Sequence, residues 1–593
     1  MRLHHRFRVA AVALLFAGTV PAFPQDQASD TVQPERGSSS ISAGEGERTA
    51  SRAARHMVAA AHPLAAEAGL AMLRGGGNAI DAMVAAQFVL GLVEPQSSGV
   101  GGGALLVYFD GEAGELTTFD GRETAPALAT PKLFLDEAGD PLEFFDAVVG
   151  GRSVGTPGTV MLMASTHERY GQLPWRTVLR PAINLALEGF EVSPRLANAI
   201  AEDADRLSRY SGTRDYFFHD DGTAVEAGER LTNVPYAATL QLIADQGPNA
   251  FYRGPLADKI VETVQEAEGN PGVLSRSDLE TYRIVERAPV CVTYREHEVC
   301  GMGPPSSGAL TVGQILKLVE PFDLAGLGFM DAESWRLIGE ASRLAFADRG
   351  RYMADSDHVA VPVLGLTDED YLAERSALIE EEGILAEDAV VPGSPPWDHA
   401  RLQGDDASIE LPSTSHMSIA DEAGNVVSLT TTIENGFGSR LMVGGFLLNN
   451  ELTDFSFETH EDGMPIANAV APGKRPRSSM APTIVMKEGR PVYAVGSPGG
   501  SRIIGYVAQA LIGLIDWELD PQETASLPHL VNRFGTYDVE EETVAANLAA
   551  SLVALGYEVT VGDLNSGLHI IEMTPEGLIG GADPRREGVA IGE

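Results

Sequence analysis

The spacing of apolar positions changes along the chain. Over residues 57–95, "MVAAAHPLAAEAGLAMLRGGGNAIDAMVAAQFVLGLVEP", small and apolar residues recur at helical spacing. This predicts two Ala-rich helices joined by Gly75, Gly76 and Gly77, the second ended by Pro95. Their small side chains predict close packing against a sheet or against each other. "GVGGGALLVYFDGEAGELTTFDGRE" then predicts two strands, 104–110 and 116–120, around the turn-forming "GEAG". Residues 156–405 alternate helical stretches such as "WRTVLRPAINLALEGF" and "AESWRLIGEASRLAFADRGRYM" with short loops and a cysteine-bearing hairpin. "EDAVVPGSPPWDHARLQGDDASIELP", rich in Pro, Gly and Asp, predicts an exposed, flexible and cleavage-accessible connection. From Ser413 the period shortens to two. "STSHMSIA", a turn at "DEAGN" and "VVSLTTTI" read as a hairpin, followed by strands in "GFLLNNELTDF" and "PVYAVGSPGG". Helices in "GYVAQALIGLIDW" and "ETVAANLAASLVALGY" precede a closing hairpin in "HIIEMTPEGLIGGADPR". Strands and helices in both halves predict one α/β body with helices layered over sheets.

Two hairpins fix residue pairs. Pairing Ala420 with Val426 across "DEAGN" brings Thr414 opposite Thr432, either as a structural Thr pair or as a hydrogen-bonded functional one. A two-residue turn at Arg295 and Glu296 pairs Tyr294 with His297 and sets Cys291 opposite Cys300, where side chains are closest. These two cysteines are then a disulfide or a pair of buried thiols.

Composition narrows the classes. The chain has 593 residues, 44% of them hydrophobic, enough for a substantial core, and its net charge is −42 from 84 acidic and 42 basic residues. Such an anionic surface suits solubility or salt adaptation and opposes nucleic-acid partners. "MRLHHRFRVAAVALLFAGTVPA" combines early arginines, an apolar run and a small-residue end, which predicts an export signal over residues 1–22. The run is shorter than the roughly 20 residues that span a bilayer, so no membrane span is expected. A disordered polar lead-in is expected over 23–56, and a periplasmic or secreted location. The 13 histidines are scattered, no cysteine cluster exists, and phosphate-loop and zinc-protease motifs are absent. "GVGGGA" follows a helix rather than a first strand, against a dinucleotide loop. No metal and no cofactor are expected.

A Thr hydroxyl needs a base to act as a nucleophile, and one solution is the α-amine of the same residue at a chain terminus. That amine titrates near 7.7 to 8.0, close to neutral working pH. Inside an intact chain the nitrogen is an amide, so activity of Thr414 would require breaking the Ser413–Thr414 bond.

"STSHMS", "TTTIENGFGS", "LLNNELTDFS", "GKRPRSSMAPTI" and "GSPGGSRII", in this order, resemble the γ-glutamyltransferase family of N-terminal nucleophile hydrolases. Upstream, "GGNAIDAMVA", "SSGVGGG", "DGRETAPA", "GTPGTV" and "GPPSSGAL" extend the resemblance over nearly everything from Met57 onward. It implies an αββα sandwich of two stacked, antiparallel-rich sheets between helix layers. It also implies a precursor that cuts itself into a large chain, 57–413, and a small catalytic chain, 414–593, which stay together as one structural domain. Thr414 matches the nucleophile, Thr432 the Thr that assists it, and Gly499 and Gly500 the pair whose N–H groups form the oxyanion hole. Arg122 matches the clamp for the substrate α-carboxylate, with Ser478 and Ser479 as further donors. Glu451 and Asp454 match the acids that hold the α-ammonium. The implied substrates are a γ-glutamyl amide such as glutathione and, as acceptor, water or an amine. His416 is left as a structural neighbour on the strand.

Two departures stand out. Glu434 occupies a substrate-contacting position where the family usually has Asn, which adds negative charge. The stretch between Asp454 and Lys474 is short and lacks Tyr, where many members carry a lid with an aromatic gate, so a more open pocket is expected. Both favour an alternative with the same mechanism, an amide acylase for glutaryl-type groups. The alternative from another class is a catalytically silent periplasmic binding protein.

Overall fold

The computed structural model describes residues 48–380, 383–396, 402–406, 408, 410–411 and 413–593. The expected export signal and residues 23–47 of the lead-in lie outside them. The lead-in expectation needs correction where it is described. β1 (Ser51–Ala53) is a strand paired with residues near the C-terminus, and the N–H groups of Ala54, Arg55 and His56 all donate to the Glu593 carbonyl. β2 (Met57–Ala60) corrects a second expectation: the run that reads as the start of a helix is a strand. Its residues are buried on both faces, so no polar alternation marks it. The two Ala-rich helices follow as expected, α1 (Pro63–Arg74) and α2 (Ala79–Val93), the second opened by a capping box at Asn78 and Asp81.

The remaining strands of the two main sheets are β3 (Gly103–Asp110), β4 (Glu115–Gly121), β5 (Val285–Arg287), β6 (Val290–Tyr294), β7 (His297–Gly301), β8 (Ser415–Ala420), β9 (Val426–Thr432), β10 (Thr483–Lys487), β11 (Arg490–Gly496), β12 (His569–Thr574), β13 (Gly577–Ala582) and β14 (Val589–Gly592). One sheet runs β1-β13-β12-β11-β10-β7-β6 and the other β14-β2-β8-β9-β3-β4-β5, with every pairing antiparallel. Both sheets mix strands from before and after Ser413.

Alternation along the strands shows how the sheets stack. Met57, Ala59, Val107, Phe109, Ala420, Ile484, Ala494 and Ile571 share one cluster between the sheets. Their neighbours Val58, Leu106, Ile419 and Leu429 pack outward with α1, α2, α3 (Trp175–Glu188) and α4 (Val234–Gln246). On the other sheet Val485, Val495 and Ile570 pack outward with α5 (Gly308–Val319), α6 (Ala332–Tyr352) and α7 (Ile503–Ile515). The order helix, sheet, sheet, helix is the αββα sandwich.

Cys291 and Cys300 sit opposite each other in the β6–β7 register, with Sγ atoms 2.06 Å apart. "GFLLNNELTDF" departs from expectation: only Phe446–Leu447 is a strand, and Glu451–Asp454 is a 3-10 turn. The turn presents Glu451 and Asp454 on one side of the chain, which a strand would not. Arg122, Arg440, Arg477, Arg533 and Arg586 are among the largest fully buried side chains, so part of the scarce positive charge lies inside. Among the described residues no helix is long and apolar enough to cross a membrane, and no cluster of His, Cys, Asp and Glu could hold a metal ion.

Candidate active site

The β8–β9 register runs from Ser415 opposite Thr431 to Ala420 opposite Val426, and Thr414 and Thr432 meet just past its end. Thr414 Oγ1 lies 3.3 Å from Thr432 Oγ1 and 2.6 Å from the carbonyl oxygen of Ser413. The Thr432 hydroxyl accepts from the Glu434 N–H at 2.9 Å and donates to the same Ser413 oxygen at 3.0 Å. The Ser413 carbonyl therefore has the Thr414 hydroxyl beside it and a donor, Thr432, on it. Arg586, also buried, donates from Nη1 to the Thr414 carbonyl at 2.9 Å and holds the residue from its other side.

Backbone geometry explains two motifs. A Cβ on Gly102 would fall 2.0 Å from the Thr432 carbonyl oxygen, so the Gly-rich "GVGGG" lets that loop lie against the end of β9. Glu434 has φ +74°, a conformation that costs a residue other than glycine about 1–3 kcal/mol, and the turn it makes delivers its amide to Thr432.

Thr414, Thr432 and Gly500 line one pocket. Arg122, Glu434, Glu451, Asp454, Ser478 and Ser479 line the same pocket. Of the predicted catalytic and substrate-binding residues Gly499 alone is not on its lining, nor is Ser413 of the predicted cleavage site; Gly499 precedes Gly500 where the chain turns from β11 into α7. Gly500 has φ +57°, and a Cβ there would press on the backbone of Glu410 and Leu411. The segment before Thr414 thus lies on the predicted oxyanion loop. This corrects the expectation of an exposed connection at its end only, since Glu387, Asp388, Val391 and Leu402 upstream are exposed. Asp406, Glu410, Leu411 and Ser413 are buried, and Glu410 and Leu411 form part of the pocket wall.

Arg122 is set by its own motif: its N–H donates to Asp120 at 2.9 Å, and its carbonyl accepts from Tyr282 at 2.8 Å. Its guanidinium reaches the Arg477 carbonyl at 2.7 Å and pairs directly with both Glu451 and Asp454. The expected opposition of clamp and acids is therefore a direct contact in the uncut chain. Burial works against the Arg122 charge, but Glu451, Asp454 and Glu123 outweigh it and raise its pKa. The carboxyls exceed the positive charge available. Burial, then the charge of Glu451, pushes Glu123 well above the ordinary carboxyl value. Burial, then Asp454 and Glu451, does the same to Glu434, whose Oε2 accepts from Asn450. Burial also raises Asp454 and Glu451, against the opposing charge of Arg122, so all four carboxyls are disfavoured as anions.

"GPPSSGAL" supports the serines from below. Ser307 donates from its backbone N–H (2.7 Å) and its hydroxyl (2.8 Å) to the Ser478 carbonyl, and the Ser478 N–H donates to the Pro305 carbonyl at 3.1 Å. Sequence reasoning missed Glu123, Arg349, Glu410, Arg477 and Arg586. Glu123 and Arg477 stood in the quoted motifs "DGRE" and "GKRPRSSM", each beside a residue already singled out. His416 is buried between the sheets, bonded to Thr430 and Ser418, and burial followed by the neighbouring His569 lowers its pKa well below the usual value.

A family model described as Gamma-glutamyltranspeptidase matches residues 65–593. The chain is 37% identical over 549 residues to a glutathione hydrolase proenzyme of Bacillus subtilis (strain 168), covering 90% of this chain and 91% of that protein. It is 36% identical over 544 residues to an acylase ACY 1 proenzyme of Pseudomonas sp. (strain SE83), covering 90% and 93% respectively. Among solved structures it is similar to cephalosporin acylase from Bacillus halodurans, with a TM-score of 0.79 and 28% identity over 93% of this chain and 98% of that one.

Proposed function

This chain belongs to the gamma-glutamyltranspeptidase family, and from that premise we propose how its residues divide the work of a self-processing enzyme. It is a hydrolase and transferase of the γ-glutamyltransferase and glutathione hydrolase type. The silent binding protein is set aside, since the matching proteins over nine-tenths of the chain are named as enzymes.

In the first stage Thr414 Oγ1 attacks the Ser413 carbonyl carbon, and the Thr432 hydroxyl stabilises the charge that develops on the oxygen. The Ser413–Thr414 C–N bond breaks, the nitrogen takes a proton, and Ser413 is left as an ester on Thr414. Water cleaves that ester, giving a Ser413 carboxylate, a free Thr414 hydroxyl and a free α-amine. The attack is intramolecular, so the buried segment needs no outside access. Residues 57–413 and 414–593 then remain together as one body, exported to the periplasm or beyond by residues 1–22. Cys291 and Cys300 form a disulfide there.

In the second stage the α-amine is the base and Thr414 Oγ1 attacks the γ-amide of the substrate. Gly499 and Gly500 supply N–H groups to the oxyanion, a role in which losing one donor costs about 2.7–4 kcal/mol of barrier. Arg122, Ser478 and Ser479 take the α-carboxylate. Glu451, Asp454 and Glu434 take the α-ammonium, whose arrival supplies the positive charge that their buried cluster lacks. The amine leaves, and water or an acceptor amine releases the acyl group from Thr414. The observation that carries this reading is the Ser413 carbonyl held by Thr414 and Thr432 inside a pocket lined by arginine and acids.

A denaturing gel tests it. Purified wild type should run as two fragments, the smaller beginning at Thr414 by N-terminal sequencing, and Thr414→Ala as one uncut band. A wild-type chain that stays whole and inactive would sink the reading. The acylase reading is kept as the second because two of the similar proteins are named acylases. Turnover of γ-glutamyl against glutaryl 4-nitroanilide decides between them, since the two acyl groups differ only in the α-ammonium.

A further inference from the structure

Behind the pocket wall formed by Glu410 and Ser479 lie two arginines, Arg349 and Arg477, that the assignment above leaves unused. Glu410 lines the pocket and is 6% exposed. Its carboxylate accepts from Arg349 Nη2 and Ser479 Oγ and lies 3.4 Å from Arg477 Nε. Arg477 also pairs with Asp406 at 2.9 Å and donates to Ser408 at 2.6 Å. Arg349 donates to Ser479 at 2.8 Å and to Ser307 at 2.9 Å. Burial works against the Glu410 charge, but the two arginines outweigh it and keep its carboxyl below the ordinary value. Both acids paired with these arginines, Asp406 and Glu410, precede the Ser413–Thr414 bond.

We propose that Arg349, Arg477 and Ser479 form a carboxylate subsite, filled by Glu410 while the chain is uncut and taken by a carboxylate of the substrate once Glu410 has left. The subsite shares Ser479 with the Arg122 clamp but has guanidiniums of its own. The Arg122 guanidinium is occupied by Glu451, Asp454 and two carbonyls, whereas Arg349 and Arg477 take their charge partners from a segment that becomes a free chain end. Two buried guanidiniums without an acid are strongly unfavourable, so the vacated seat selects an anion, and their planar forks fit a carboxylate. Glu410 shows that the seat accepts one. The carboxylate can come from the γ-glutamyl head or from the leaving amine, and the subsite serves either. The choice of substrate rests on the function proposed above; the existence of the seat does not.

Calorimetric titration with glutarate reads the seat without any cleavage. The uncut Thr414→Ala chain should bind glutarate weakly, Glu410→Ala in that background about tenfold or more tightly, and Arg477→Ala added to both should remove the gain. If Glu410→Ala does not fold, Glu410→Gln keeps the shape and reads the same ratio. Equal affinity with and without Glu410, or a gain that survives Arg477→Ala, overturns the proposal. Processed Arg477→Ala enzyme then identifies the source. Three substrates are compared: γ-glutamyl 4-nitroanilide, 4-aminobutyryl 4-nitroanilide, which lacks the head carboxylate, and γ-glutamyl 3-carboxy-4-nitroanilide, which adds one to the leaving group. A KM raised about tenfold for both γ-glutamyl substrates alone assigns the head, and for the carboxylated leaving group alone assigns the amine. An equal change for all three overturns the subsite. A wild type that neither cuts nor turns over γ-glutamyl substrates would sink the proposed function while leaving the glutarate result standing.

Discussion

Arg122 lines the pocket and Arg477 pairs with Glu410 of its wall, and the charge around the two differs. Around Arg122 the acids are in excess: Glu451 and Asp454 touch it, and Glu123 and Glu434 lie beside them. Around Glu410 the charges balance, two guanidiniums, Arg349 and Arg477, against two carboxylates, Glu410 and Asp406. The acids of the first region sit just after β4 (Glu123), just after β9 (Glu434) and on a 3-10 turn (Glu451 and Asp454), all held by the body of the fold. The acids of the second belong to the segment that cleavage turns into a chain end. In the proposed mechanism cleavage leaves the first region short of a cation and releases the acids of the second, so the substrate must supply an ammonium to one and a carboxylate, from its head or its leaving amine, to the other.

The difference is sharpest in mutational energetics, measured by urea unfolding in the uncut Thr414→Ala background. Arg122→Ala should cost about 3–5 kcal/mol, because it strands two buried carboxyls at once. Arg477→Ala should cost less, since Arg349 still pairs with Glu410. Adding Glu410→Ala should recover part of the Arg477 loss, and no single acid-to-alanine change should do so for Arg122. Full recovery of Arg122→Ala by Glu451→Ala would erase the distinction.

The acid-rich region should also set the pH response. Glu434 faces Glu451, Asp454 and Asn450, and burial, then those acids, raises its pKa in the folded chain. The folded state therefore binds a proton that the unfolded state releases near pH 4.3, and stability falls as pH rises from there toward the folded value. Glu434→Gln should flatten that fall by about 1.4 kcal/mol for each unit of the shift. Thermal melts of the uncut chain from pH 5 to 8 measure it. Parallel curves for the two proteins would mean that Glu434 is ionised in the folded chain.

What was legible in the sequence depended on distance along it. The Thr414–Thr432 pair and the Cys291–Cys300 pair each follow from counting across a short turn, and the register agrees with both counts. The receptor residues came from motif resemblance, and the structure gathers nine of the ten site residues around one pocket. Met57–Ala60 was misread because a strand buried on both faces and rich in Ala carries no period. The Glu410 seat was invisible for a different reason. Its arginines lie 61 and 67 residues away in sequence, one inside a long helix, and no local pattern links them. The same separation hid the burial of Asp406, Glu410 and Leu411 at the end of the acidic segment, which composition alone reads as solvated.

The smallest expected effect concerns the histidine closest to the nucleophile in sequence. His416 lies two residues after Thr414, yet its ring is spent between the sheets: a Cβ on Gly496 of β11 would fall 2.2 Å from it, and both ring nitrogens face hydroxyls, Thr430 at 2.9 Å and Ser418 at 3.1 Å. Burial keeps it neutral, and neither region of the pocket includes it. His416→Gln can retain one of the two hydrogen bonds, so the expected loss is about 0.5–1.5 kcal/mol of stability. The pH profile of kcat should not move, because in the proposed mechanism the group that titrates in it is the Thr414 α-amine. A displaced limb in the kcat profile of His416→Gln would transfer the role of base from the chain terminus to this ring, and the need to cut at Ser413 would then have to be explained by the Glu410 seat alone.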